Sequence, residues 1–275
     1  MGLLKATLTN SASRAFGKLA STAFPTFMQI GVNKLYTSIT GVDLSNFHPH
    51  GHYPTLNALF TRELRFKRDV SQDVKSIISP ADSLISAQGE IEATDALQIK
   101  GFSYNIRELL TKNIADENID RINGGEFMNF YLSPMDYHRY HVPMDMKVTR
   151  VVHVPGLLYP VNFTYLKKVP ALFTKNERVI LECQDINDKL FYIILVGALN
   201  VGKMTLSFEE RIETNVDASK VAVYDYADTQ LKKGDELGMF MMGSTIVMLF
   251  EREFVALLDK EGRSVRFGDV IASKH

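Results

Sequence analysis

The chain has 275 residues, of which 31 are basic and 32 acidic, so its formal charge is −1. This length is sufficient for a large buried core, and the charge balance argues against a generally cationic nucleic-acid binder. The single cysteine, Cys183, cannot form an internal disulfide and is predicted to be a small buried hydrophobe, while no apolar run reaches the roughly 18 residues of a membrane-spanning helix.

The first 42 residues contain no Asp or Glu, although they carry Lys5, Arg14, Lys18 and Lys34. From Phe24 onward, apolar residues recur mostly at steps of three and four: Phe27, Met28, Val32, Leu35 and Ile39. This pattern predicts an amphipathic helix that can lie on an anionic membrane surface. Two alternatives stay open, a helix packed on its own protein and a removable mitochondrial transit peptide.

A connection rich in Pro, Gly and His follows from Gly41 to Tyr53, and the next stretch, Thr55 to Leu64, predicts a short helix. The remaining chain contains short β-rich runs: Phe127 to Leu132, Lys147 to Val154, Arg178 to Glu182, Leu190 to Leu195 and Thr245 to Phe250. We therefore predict an α+β protein with a mainly antiparallel β body, with a barrel-sandwich-like arrangement as one option. The predicted units are an N-terminal helical membrane-association segment with its connection at 1–53 and a β-rich catalytic domain at 54–275.

The stretch from Tyr131 to His141 begins with residues typical of a helix start. Ser133 can cap a first turn, Pro134 suits its first position, and Asp136 can return a hydrogen bond to the cap. If the helical turn continues, His138 and His141 project from one face, whereas a strand would place them on opposite faces. The pair alone does not establish a site, because histidine is also an ordinary polar residue.

Near the C-terminus, Gly243-Ser244-Thr245 lies between two apolar segments. Such a tripeptide is usually a turn, and Asp82 within Ser-Pro-Ala-Asp is equally typical of a turn. A carboxylate, an imidazole and a hydroxyl are nevertheless the groups from which an activated nucleophile is built. The three weak signals could therefore form one site.

Several motifs gain specificity from their joint order between about residues 53 and 251. They are Phe60-Thr-Arg-Glu-Leu, Pro80-Ala-Asp, Tyr131-Leu-Ser-Pro-Met-Asp-Tyr-His-Arg-Tyr-His, Gly156-Leu-Leu-Tyr-Pro-Val-Asn, Asn176-Glu-Arg-Val, Val196-Gly-Ala and Met242-Gly-Ser-Thr. Together they resemble the bacterial-type phosphatidylserine decarboxylases. The sequence departs from the family at Met242, where Leu is commoner, and at Ser83, where Gly is usual.

The resemblance implies a carboxy-lyase that cuts itself between Gly243 and Ser244 into chains 1–243 and 244–275. Ser244 would become a covalent pyruvoyl cofactor, and no metal is expected. Asp82, His141 and Ser244 would form the self-processing triad, and His138 would be a second active-site histidine. Phosphatidylserine would be converted to phosphatidylethanolamine and carbon dioxide through a Schiff base on the pyruvoyl group.

The resemblance also implies a peripheral membrane protein on the cytoplasmic face of the bacterial inner membrane, with no nucleic-acid partner. Its two chains would stay together, and a homodimer is one option for the assembly.

Two other functions compete with this interpretation. His48, His50 and His52 alternate along the chain and could bind zinc in a metal-dependent hydrolase, although no carboxylate-containing metal motif accompanies them. Lys232-Lys-Gly-Asp-Glu-Leu is similar to the strand and turn phrasing of biotinyl and lipoyl carrier modules, but Gly243-Ser244-Thr245 offers no acceptor lysine.

Overall fold

The computed structural model describes residues 17–92, 96–99, 102–161, 163–199, 203–212, 214–215, 220–241 and 244–275. The named helices are α1 (Thr26–Thr40), α2 (Leu56–Phe60), α3 (Ile106–Leu110), α4 (Asp116–Ile122), α5 (Phe163–Lys168) and α6 (Leu172–Lys175), with a 3₁₀ turn at His50–His52. The strands are β1 (Ser76–Ile78), β2 (Ser83–Glu90), β3 (Ala96–Ile99), β4 (Phe102–Asn105), β5 (Glu126–Leu132), β6 (Arg139–His141), β7 (Met146–Val154), β8 (Arg178–Gln184), β9 (Leu190–Val196), β10 (Met204–Leu206), β11 (Ala222–Leu231), β12 (Glu236–Phe240), β13 (Ser244–Phe250), β14 (Val255–Leu257), β15 (Ser264–Val265) and β16 (Val270–Lys274).

An eight-stranded antiparallel sheet forms the centre of the protein, in the order β11-β7-β8-β9-β13-β5-β2-β15. Every residue of β9 and β13 is buried, because both strands lie inside the sheet and their apolar side chains are covered on both faces. Strand β11 lies at one edge, and none of its residues is fully buried. The predicted α+β class with a mainly antiparallel β body is confirmed.

Two three-stranded sheets pack beside the large one, in the orders β1-β16-β14 and β10-β12-β6. In the second of these, Gly238 permits a close approach between strands, since a Cβ atom there would lie 1.9 Å from the carbonyl oxygen of Thr205. This sheet carries β6, and therefore His141, alongside the large sheet.

The five β runs predicted from the sequence are all strands, with ends that differ by two residues or fewer. The predicted helix after Thr55 is shorter than expected. Thr55 caps it by accepting a hydrogen bond from the Ala58 amide at 3.0 Å, but the helix ends at Phe60. Cys183 is free and buried, as predicted.

Helix α1 follows Pro25 and ends at Gly41, whose φ of 78° provides the left-handed conformation typical of a helix end. Its buried residues are polar: Gln29, Asn33 and Thr37. Asn33 donates to the carbonyl oxygens of His50 and Tyr53, both at 3.0 Å, so hydrogen bonds hold this face to the body. The predicted apolar face is present, but most of it points away from the protein.

One end of the large sheet gathers the start of β13 and the ends of its neighbours. The Cα pairs at this end are Ser244 with Leu132, Thr245 with Val196, Val196 with Arg178, and Arg178 with Val154. We call this the Ser244 end of the sheet. No helix in the described ranges is long and apolar enough to cross a membrane.

Candidate active site

Ser244 is the first residue of β13, and its side chain is fully buried. Its Oγ makes no hydrogen bond with any residue that the structure describes. A buried hydroxyl without a partner costs about 1–3 kcal/mol, so such a group is rarely retained without a reason. The neighbouring Gly243 and Met242 lie outside the described residues.

His138 is also fully buried, and one of its ring nitrogens lacks a partner. Its Nδ1–H donates to the Asp136 carbonyl oxygen at 2.8 Å, while Nε2 has no hydrogen bond within the described part of the chain. Burial lowers the pKa of His138 from its ordinary 6.5 to about 3. Because a carbonyl can only accept, Nδ1 keeps the proton and the neutral ring presents a bare lone pair at Nε2.

The backbone around His138 corrects the predicted continuation of a helical turn. Asp136 does return the expected hydrogen bond, since its carboxylate accepts from the Ser133 amide at 2.7 Å. The Ser133 hydroxyl donates to the same carboxylate at 2.8 Å, and the Asp136 amide closes the turn on the Ser133 carbonyl at 2.9 Å. Beyond this turn the chain is extended and pairs with β12, and the Phe240 amide donates to the His138 carbonyl at 2.9 Å. His138 and His141 therefore do not share a helical face, because strand pairing prevails over the local helix signal.

Arg62 holds the turn that carries His138. Its Nη2 donates to the carbonyl oxygens of Met135 at 2.8 Å and of Asp136 at 3.0 Å. The Asp136 carbonyl thus accepts from both Arg62 and His138. On its other side His138 contacts Phe60, with ring centroids 3.9 Å apart, so the imidazole is fixed from two directions.

His141 lies in β6, and both of its ring nitrogens are occupied. Nδ1–H donates to the Gly234 carbonyl at 3.0 Å, and Nε2 accepts from the Tyr137 hydroxyl at 3.1 Å. The Phe267 ring stacks on the imidazole with centroids 3.5 Å apart. Burial lowers the pKa of His141 to about 4. The residue borders a cavity of about 530 Å³.

Asp82 binds Arg68 through both carboxylate oxygens, and its Oδ1 also accepts from the Phe267 amide at 2.8 Å. Asp82 and His141 are therefore linked through Phe267, whose amide contacts one and whose ring contacts the other. No direct hydrogen bond joins Asp82, His141 and Ser244. Ser83, the position that departs from the family, begins β2 and is buried.

A buried polar chain anchors the residue next to Ser244. Thr245 Oγ1 lies 2.7 Å from the Phe130 carbonyl, to which it donates, and 3.1 Å from Asn129 Oδ1. Asn129 Nδ2 donates in turn to Ser86 Oγ at 2.5 Å. These contacts tie the start of β13 to β5 and β2, and so fix the position of Ser244.

Sequence reasoning missed several residues of this site. Arg62 and Phe60 were visible only as part of the Phe60-Thr-Arg-Glu-Leu motif, and nothing in the sequence marked Phe267 or Arg68. Both act on residues distant along the chain, which a local pattern does not reveal.

The histidines considered for zinc are engaged elsewhere. His50 Nε2 lies 2.8 Å from the Thr37 hydroxyl, and the rings of His48 and His52 stack with centroids 4.0 Å apart. Within the described ranges, no group of three or more His, Cys, Asp or Glu side chains is arranged to hold a metal ion.

Comparison with known proteins gives a consistent result. Residues 56–273 match the family model described as phosphatidylserine decarboxylase. A Helicobacter pylori (strain Shi470) protein named phosphatidylserine decarboxylase proenzyme is 42% identical over 270 residues, which cover 98% of both chains. Proteins of the same name from Campylobacter jejuni and Coxiella burnetii are 38% and 32% identical, over 96% and 89% of this chain and 98% and 83% of their own lengths.

Proposed function

Because the chain belongs to the phosphatidylserine decarboxylase family, we propose that it converts Ser244 into its pyruvoyl group and works at an anionic membrane surface. The reaction of the family removes the serine carboxylate of phosphatidylserine as carbon dioxide and leaves phosphatidylethanolamine. The name proenzyme, shared by the relatives, is consistent with a chain that must process itself before it is active.

The observation that carries the proposal is the state of Ser244. Its hydroxyl is buried at the first residue of a central strand, and no residue that the structure describes forms a hydrogen bond with it. A serine at this position contributes nothing to stability that alanine would not, so its presence is best explained by chemistry. The residues around Ser244 fit a pyruvoyl group, since the position is buried from solvent and the adjacent Thr245 is held by its hydrogen bond to the Phe130 carbonyl.

Self-cleavage would proceed through the Ser244 hydroxyl. Its oxygen attacks the carbonyl carbon of Gly243, the peptide C–N bond breaks, and an ester replaces the amide. Removal of the α-proton of residue 244 then breaks the Cβ–O bond, which releases the carboxylate of Gly243. Addition of one water and loss of ammonia turn the resulting dehydroalanine into the pyruvoyl group. The products are chains 1–243 and 244–275.

The family resemblance assigns the base of the first step to His141, oriented by Asp82. We retain this assignment as a proposal, with Phe267 and Tyr137 as the intermediaries in the present arrangement. The neutral state of His141 suits a base. For direct transfer from Ser244, the bond between His141 and Tyr137 must open or the tyrosine hydroxyl must relay the proton.

A second proposed assignment gives this step to His138. His138 Nε2 is a neutral, buried base, and Ser244 Oγ is a buried donor; neither has a hydrogen-bond partner among the described residues. The two residues are also connected through the backbone, because His138 bonds Phe240, four residues before Ser244. In this version His141 and Asp82 support the site without taking the proton.

In the decarboxylation itself, a pyruvoyl group supplies a carbonyl that takes up the substrate amine and withdraws electrons as the carboxylate leaves. We propose that His138 delivers the proton to the carbon that loses the carboxylate. Its Nδ1–H stays on the Asp136 carbonyl, so the neutral Nε2 would first take up the proton that the substrate ammonium releases and would then pass it to that carbon. The burial of His138 and Phe60 excludes water from this proton transfer.

Helix α1 would hold the enzyme on the membrane. Phe27 is 77% exposed, Leu35 62% and Ile39 74%, whereas the buried face of the helix is polar. An apolar face that points outward, in a segment without acidic residues, fits the interface of an anionic bilayer. The Tyr36 hydroxyl donates to the Pro134 carbonyl at 3.1 Å, so the helix lies beside the turn that leads to His138. We accordingly propose a peripheral location on the cytoplasmic face of the inner membrane, for a monomer or a homodimer.

Denaturing mass spectrometry tests the proposal. The wild-type protein should give chains 1–243 and 244–275, with a carbonyl on the smaller chain that reacts with phenylhydrazine, and Ser244→Ala should give one intact chain. An intact chain in a preparation that decarboxylates phosphatidylserine would contradict the proposal.

The two assignments of the base are separated by His141→Gln and His138→Gln. Loss of cleavage in His141→Gln, with an inactive but fully cleaved His138→Gln, supports His141 as the base. Loss of cleavage in His138→Gln alone supports His138. Asp82→Asn should follow His141→Gln if the carboxylate acts through that imidazole.

A further inference from the structure

A second stretch of the chain lacks acidic residues. Between Asp145 and Glu177 there is no Asp or Glu, while five basic residues occur: Lys147, Arg150, Lys167, Lys168 and Lys175. Three of the five lie in the connection between β7 and β8, which contains α5 and α6. This connection is therefore a local concentration of positive charge in a chain with almost no net charge.

Helix α5 presents these charges to solvent. Leu166 is buried and anchors the helix, whereas Tyr165, Lys167 and Lys168 are exposed. Lys168 Nζ lies 5.9 Å from the centroid of the Tyr165 ring. Neither lysine of α5 nor Lys175 forms an ion pair with a carboxylate in the part of the chain that the structure describes. Their charges are thus available to an external anion.

The position of α5 relates it to the active site. It follows the end of β7 and precedes the start of β8, so it lies at the Ser244 end of the sheet. Strand β8 is two strands from β13, about 10 Å at the usual strand spacing. On the other side of β13, strand β5 leads to Pro134, which contacts α1. Ser244 therefore lies between α1 and α5.

We propose that α5 is a second membrane contact, in which Lys167 and Lys168 bind anionic lipid headgroups and Tyr165 lies in the interface. This inference rests on the proposed membrane attachment through α1 and extends it from one contact to two. Two contacts on either side of Ser244 fix the orientation of the protein, so that the Ser244 end of the sheet faces the bilayer. A lipid headgroup can then reach the site without leaving the membrane.

Charge complementarity favours a lipid bilayer over a protein as the partner of α5. A pair of lysines beside an exposed tyrosine matches the composition of an interfacial segment, and the enzyme's own substrate is an anionic lipid. A lysine near an anionic surface contributes about a fivefold gain in binding. Removal of both charges should weaken binding roughly 10- to 30-fold at low salt, and less at high salt because counterions screen the attraction.

The experiment compares Lys167→Gln/Lys168→Gln with a control of equal charge change, Arg252→Gln/Lys260→Gln. The control positions lie at the opposite end of the sheet, since Arg252 follows β13 and the Lys260 amide contacts Gln88 near the end of β2. Binding is measured by cosedimentation with phosphatidylcholine vesicles, with and without phosphatidylglycerol, an anionic lipid that is not the substrate. Self-cleavage and turnover of monomeric short-chain phosphatidylserine are measured in parallel.

The proposal expects the α5 variant to bind anionic vesicles at least tenfold more weakly than the control, with unchanged self-cleavage and short-chain turnover. Equal binding of the two variants would overturn it, as would a change in oligomeric state of the α5 variant alone, which would identify a second copy of the chain as the partner. An α1 variant, Phe27→Ser/Ile39→Ser, distinguishes failure of the α5 contact from failure of the membrane attachment through α1. If it loses binding while the α5 variant does not, the α5 contact is wrong and the attachment through α1 stands.

Discussion

The two buried histidines predict that the folded protein loses stability steeply in mild acid. The pKa of His138 is about 3 and that of His141 about 4, whereas an unfolded histidine has the ordinary value of 6.5. Both folded pKa values lie below the unfolded one, so at pH values between the folded and unfolded pKa the unfolded chain binds more protons than the folded protein. Stability that is fully present above pH 6.5 is therefore lost as the pH falls toward the folded values.

The size of the effect follows from the same pKa values. On going from about pH 8 to about pH 5, linkage gives a loss of about 2 kcal/mol for each histidine, or about 4 kcal/mol for both. This is a large fraction of the roughly 5–15 kcal/mol by which folded proteins are usually stable. Because both side chains are almost completely buried, solvent screening does little to reduce the loss.

Urea unfolding measures this loss, and Ser244→Ala is the suitable background because it is expected to remain a single chain. The free energy of unfolding is compared between about pH 8 and about pH 5 in this variant and in Ser244→Ala/His138→Gln. Glutamine does not titrate, so the pH-dependent loss should shrink by about 2 kcal/mol. Carboxylates contribute equally to both variants and cancel in the comparison. An identical pH dependence in the two variants would refute the reasoning.

Three further substitutions test individual contacts. Arg62→Met removes a guanidinium that donates to the same Asp136 carbonyl as His138, and we expect kcat to fall about 10- to 100-fold. The charge of Arg62 also helps to lower the pKa of His138, so the acidic limb of the pH-rate profile should move to higher pH in this variant. Thr245→Val, made in the Ser244→Ala background, removes the buried hydroxyl that donates to the Phe130 carbonyl, and it should lower the free energy of unfolding in urea by about 1–3 kcal/mol. Arg178→Met should destabilise the protein by at least about 3 kcal/mol, because the buried guanidinium holds four carbonyl oxygens and each one left without a donor costs about 1–3 kcal/mol. Vesicle binding of the folded fraction should not change.

The large sheet was predictable from local patterns because its strands are continuous apolar runs. The run from Leu190 to Leu195 contains no polar side chain except the Tyr192 hydroxyl, and such a segment is stable only inside a sheet. The turn at Ser133 was predictable for a similar reason, since its hydrogen bonds join residues three apart.

The details of the site depend on contacts between distant parts of the chain. The extended backbone after His138 follows from pairing with β12, about one hundred residues later. The carboxylate of Asp82 binds Arg68 and the Phe267 amide, neither of which a local motif identifies. The periodicity of α1 indicated an apolar face but not its direction, because the same pattern fits a helix that packs inward.

The central position of β13 affects how the cleaved enzyme holds its small fragment and how it refolds. If the chain is cut before Ser244, the small fragment still supplies β13 to the middle of the large sheet and β16 to the middle of another. Its departure would divide the large sheet into β11-β7-β8-β9 and β5-β2, so the fragment should remain trapped. The precursor folds as one continuous polymer, whereas a denatured mature enzyme must find its missing piece by diffusion. The stability of the mature enzyme is therefore kinetic and depends on how slowly it unfolds, and the recovery of activity after denaturation should depend on protein concentration.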